Sequence, residues 1–156
     1  MLQIIKKTLL KIFDDLRRIA ESAALLTGAE YKITGADIYA ERYPSMTLGE
    51  AFKANMEPLG VIMNYPDYTA QVGSSDIGNV SLVVPAIHEY LAIAEPGEVV
   101  AHHESFRRAA ASPRGDEAVI LAAKGLAMTA LDVLTDEDLR SRTAKEFDEK
   151  VRPNQC

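Results

Sequence analysis

The stretch that decides the fold is NYPDYTAQVGSSDIGN, residues 64–79, followed directly by VSLVVPAI, residues 80–87. The first part is polar and rich in turn-forming residues, whereas the second is a continuous apolar run. Such a run is typical of a strand that is buried on both faces of a sheet. Because α/β proteins place ligand-contacting groups in loops beside buried strands, the junction predicts a sheet and a candidate ligand loop.

Helical patterns flank this junction on both sides. Apolar residues recur every three or four positions from Leu2 to Leu26, which predicts an amphipathic helix rather than a targeting segment or a membrane span. The other predicted elements are a strand over 29–38 and helices over 48–59, 116–134 and 136–150. The sum is an α/β fold with two or three strands, which is few for 156 residues.

Composition narrows the class of protein. The chain has 17 Lys and Arg against 23 Asp and Glu, a formal net charge of -6, and one cysteine, Cys156. Without a second cysteine no intramolecular disulfide forms, which predicts a reducing, cytoplasmic location. A mildly acidic chain without a basic face also predicts no nucleic-acid partner, and we expect no membrane partner.

Three histidines are candidates for chemistry: His88, His102 and His103. The adjacent pair is open to two interpretations, a polar pair at a helix start or a source of one metal ligand. Zinc needs at least three protein donors, and neither His-Glu-x-x-His nor Cys-x-x-Cys spacing occurs. The residues by themselves therefore do not predict a complete metal site.

The loop Gly73, Ser74, Ser75 and Asp76 is the second candidate site. Its backbone N–H groups, two hydroxyls and one carboxylate suit a ligand carboxylate or a neighbouring polar side chain. A tight turn in which the aspartate caps backbone groups explains the same residues equally well.

Three blocks together resemble the C-terminal part of the binuclear zinc amidohydrolases and peptidases, the relatives of aminoacylase, carboxypeptidase G and aminobenzoyl-glutamate hydrolase. The blocks are GSSDIGNVSLVVPAIHEYLAI at 73–93, HHESFRRAA at 102–110 and AAKGLAMTALDVL at 122–134. The resemblance is closest to the dipeptidase-like branch. Upstream, residues 17–33 resemble the end of that family's lid or dimerisation domain, which divides the chain into a lid remnant, 1–40, and a catalytic-domain segment, 41–156.

The resemblance implies zinc-dependent hydrolysis of an amide bond in an N-acyl amino acid, an aminobenzoyl-glutamate-like compound or a dipeptide. It implies that His102 is a zinc ligand, with His103 as the alternative, and that Gly73 to Asp76 lie near the substrate. His88 falls in a matching segment without an assignable role.

The sequence departs from the family in one important respect. The family's His-x-Asp motif, its Glu-Glu pair and its general base are missing. The expected protein is therefore inactive alone, whether as a truncated product, one half of a split enzyme, or a non-catalytic module. The expected partners are an N-terminal-half subunit or a second copy, docking through an exposed sheet edge and the N-terminal helix.

Overall fold

The computed structural model describes residues 6–35, 38–65 and 75–154, and its regular structure in these ranges is helical. The helices are α1 (Lys6–Thr27), α2 (Met46–Met56), α3 (Ile77–Ser81), α4 (Glu104–Ala110), α5 (Pro113–Thr135) and α6 (Glu137–Lys150). Short 3-10 turns follow α2 at Glu57–Leu59 and α6 at Arg152–Asn154.

The prediction of an α/β fold is wrong for the described residues. Residues 29–35 form no strand, and Val80 and Ser81 belong to the end of α3. The β-pairing in the described part is one isolated parallel bridge between Pro44 and Ala86. A strand is stabilised by the strands on either side of it, so an apolar run without neighbours does not form a ladder.

The helix predictions are confirmed, with shifted ends. α1 ends at Thr27, and the next residue, Gly28, has the left-handed φ of 70° that is common after a helix. α2 begins earlier than predicted because the Ser45 side chain accepts a hydrogen bond from the Leu48 N–H. The Asp136 side chain caps α6 by accepting a hydrogen bond from the Leu139 N–H.

The core lies where α2 packs on α5 and α6. Phe52 and Met56 of α2 are buried against Gly125 of α5, where a methyl group would collide with both side chains. The Asn55 amide donates to Thr129 at 3.2 Å and to Asp132 at 2.6 Å, which fixes the rotation of the two helices.

Glu146 of α6 ties the start of α2 to this core. Its carboxylate accepts hydrogen bonds from the Ser45 hydroxyl at 3.0 Å and from the N–H groups of Met46 and Thr47 at 3.1 and 2.9 Å. Burial alone would raise the pKa of this carboxyl. The hydrogen bonds from Thr47, Lys150 and Met46 outweigh it, so the pKa falls to about 2.

The face of α5 turned away from this core is apolar and exposed. We call it the α5 stripe, and it consists of Val119, Ile120, Ala123, Leu126, Ala127, Ala130, Leu131 and Leu134. Within the described residues α5 is also the one helix long and apolar enough to cross a bilayer by length and composition. Core helices of water-soluble proteins have the same length and composition.

Candidate functional site

The predicted loop is partly visible. Gly73 and Ser74 lie outside the described residues, whereas Ser75 is half-buried and Asp76 is exposed. The Ser75 hydroxyl contacts the Asp76 carboxylate at 3.3 Å and accepts from the Ile77 N–H at 3.4 Å. The Asp76 side chain makes no capping hydrogen bond to the first turn of α3.

Short contacts hold α3, the helix that follows the loop, against residues 38–43. Gly78 touches the Ala40 carbonyl so closely that a side chain there would collide with backbone. The Asn79 amide oxygen accepts from the Ala40 N–H at 2.8 Å, and the buried Ser81 hydroxyl accepts from the Tyr43 N–H at 3.0 Å. The described end of the loop is thus anchored by residues that its motif did not predict.

A cavity of about 900 Å³ lies beside this anchor. α2, the start of α5 and residues 60–65 and 86–92 form its walls, and Ile77 and Ser81 of α3 reach it. Because Ile77 lines the cavity, the described end of the candidate loop, Ser75 and Asp76, is joined directly to its wall.

His88 lies in the cavity wall, in a cluster with Arg42 and Tyr90. The His88 and Tyr90 rings stack with centroids 4.9 Å apart. The Arg42 guanidinium lies 3.4 Å from the His88 Nδ1 and donates to the Tyr90 hydroxyl at 3.3 Å. His88, which had no role at the sequence level, therefore helps to position a guanidinium at the cavity.

Two carboxylates modify the electrostatics of the cavity. Burial raises the pKa of Glu89, although the charge of His88 opposes the shift. Glu50 accepts a hydrogen bond of 2.5 Å from Tyr65, which raises the pKa of that phenol. The Lys53 ammonium lies 4.4 Å from the centre of the same Tyr65 ring. The wall thus carries charge of both signs.

The two adjacent histidines have different environments. His103 is the N-cap of α4, and its Nδ1 accepts from the Ser105 N–H at 3.2 Å. His102 is exposed and has a φ of 62°, the one positive φ outside glycine in the described chain. Backbone of this kind costs about 1 to 3 kcal/mol in a residue with a side chain, and it clusters at functional sites.

Among the described residues, His102 lines neither of the two cavities. The residues that line the cavity beside Ile77 do not include His102, and His103 lines a separate one of about 570 Å³. Across residues 6–35, 38–65 and 75–154 there is no group of three or more His, Cys, Asp or Glu that would hold a metal ion.

Comparison with known proteins identifies relatives that are much longer than this chain. No family model matches the sequence. The chain is 37% identical over 142 residues to an Xaa-Arg dipeptidase of Mus musculus, and 35% identical over 137 residues to an Xaa-Arg dipeptidase of Homo sapiens. Each match covers 86% of this chain and 31% of the relative, so the chain spans about a third of their length. The similarity supports a dipeptidase-like relationship.

Proposed function

We propose that this chain is the C-terminal part of a zinc-dependent, dipeptidase-like amidohydrolase that cleaves an amide bond only together with a complementary polypeptide. The similarity to two Xaa-Arg dipeptidases over 86% of the chain carries the proposal. The proposed substrates are dipeptides that end in arginine, and more broadly N-acyl amino acids. Residues 73–76 are proposed to lie near the bound substrate.

His102 is the proposed metal ligand. In the described residues its imidazole forms no hydrogen bond, whereas the His103 Nδ1 is already engaged as a helix cap. The positive φ of His102 also supports a functional role. Glycine would adopt this backbone conformation without strain, so a histidine is expected here only if its side chain is used. Both observations favour His102 over its neighbour.

The described residues do not fit a complete zinc site. A catalytic zinc takes three protein ligands and a water, and here one imidazole stands without the two further donors. Hydrolysis by this chain alone is therefore not expected. The remaining ligands and the general base are proposed to come from the portion that corresponds to the other two thirds of the dipeptidases.

Reconstitution tests this function. The unmatched remainder of the mouse dipeptidase is expressed as a separate polypeptide, mixed with this chain and zinc, and assayed by amino-acid release from Xaa-Arg dipeptides. We expect activity that depends on the concentration of both chains. His102→Ala should abolish it, whereas His103→Ala should retain most of it while the free energy of unfolding falls by about 1 kcal/mol through loss of the cap.

Other outcomes contradict specific parts of the proposal. If His103→Ala abolishes the activity and His102→Ala does not, the ligand is His103. If a mixture whose chain carries both His102→Ala and His103→Ala is still active, neither histidine is a zinc ligand. An assembled complex that hydrolyses nothing in the presence of zinc contradicts the enzymatic function and favours a non-catalytic binding module.

A further inference from the structure

No further inference is drawn: the strongest candidate, the half-buried Arg42 guanidinium that contacts His88 and Tyr90 in the wall of the larger cavity, belongs to the candidate site already described.

Discussion

Replacing Glu146 with glutamine should destabilise the protein in a manner that depends on pH. The Glu146 side chain is 11% exposed and forms an ion pair with Lys150. Its carboxylate also accepts hydrogen bonds from two backbone N–H groups in the first turn of α2, which lies far away in the sequence. Its pKa is lowered from 4.5 to about 2. A shift of that size corresponds to about 3 kcal/mol of stabilisation at neutral pH, from 1.36 kcal/mol per unit. Glutamine keeps one acceptor oxygen, so we expect a loss of about 2 kcal/mol at pH 7.

The sign of the pH dependence follows from the direction of the shift. A carboxyl whose pKa is lower in the folded protein stabilises it fully above the unfolded value of 4.5, and that stabilisation is lost as the pH falls towards 2. The difference in unfolding free energy between the unaltered chain and Glu146→Gln should therefore be largest near pH 7 and shrink steadily below pH 4.5. Urea unfolding followed by circular dichroism at several pH values measures it.

Glu149→Gln is the matched control for this experiment. Glu149 lies on the same helix, 63% exposed, with its carboxylate 3.8 Å from the Lys145 ammonium. An exposed pair of this kind contributes about 0 to 1 kcal/mol, so the control should change the unfolding free energy little at any pH. The reasoning is refuted if Glu146→Gln costs no more than Glu149→Gln at pH 7, or if its cost is the same at pH 3 as at pH 7.

Two further predictions concern backbone positions. Gly125→Ala should lower the free energy of unfolding, measured in urea titrations, by about 1 to 3 kcal/mol, because the added methyl group collides with Met56 and Phe52. The higher helix propensity of alanine offsets only part of this loss. An unchanged or higher stability would show that the contact between α2 and α5 is looser than described. His102→Gly should raise the melting temperature relative to His102→Ala, because glycine adopts a positive φ without strain, and equal melting temperatures would remove the argument from strain.

Helices α1, α2, α5 and α6 were predictable from the sequence because their apolar residues recur at helical spacing, a signal that acts over three or four residues. The short helices α3 and α4 were not among the predicted elements. The strand over 80–87 was predicted from the same kind of local pattern, yet strand formation depends on neighbours that the described residues do not supply. The error thus arose from treating a non-local property as a local one.

The candidate site was predictable only in part for the same reason. A motif singled out Ser75 and Asp76 as candidate ligand residues, but nothing in the sequence singled out Arg42 or the role of Asn79. Their positions follow from contacts across more than thirty residues, such as the Asn79 amide on the Ala40 N–H. The difference between His102 and His103 likewise depends on a backbone angle that residue type does not reveal.

The capping of α2 by Glu146 has a consequence for how the chain folds during synthesis. Ser45 and Glu146 are 101 residues apart, so the first turn of α2 leaves the ribosome long before the carboxylate that completes it. Until then the N–H groups of Met46 and Thr47 must be satisfied by water. A nascent chain that stops short of α6 therefore lacks the carboxylate that completes the first turn of α2, and assembly of the helical core waits until α6 is translated.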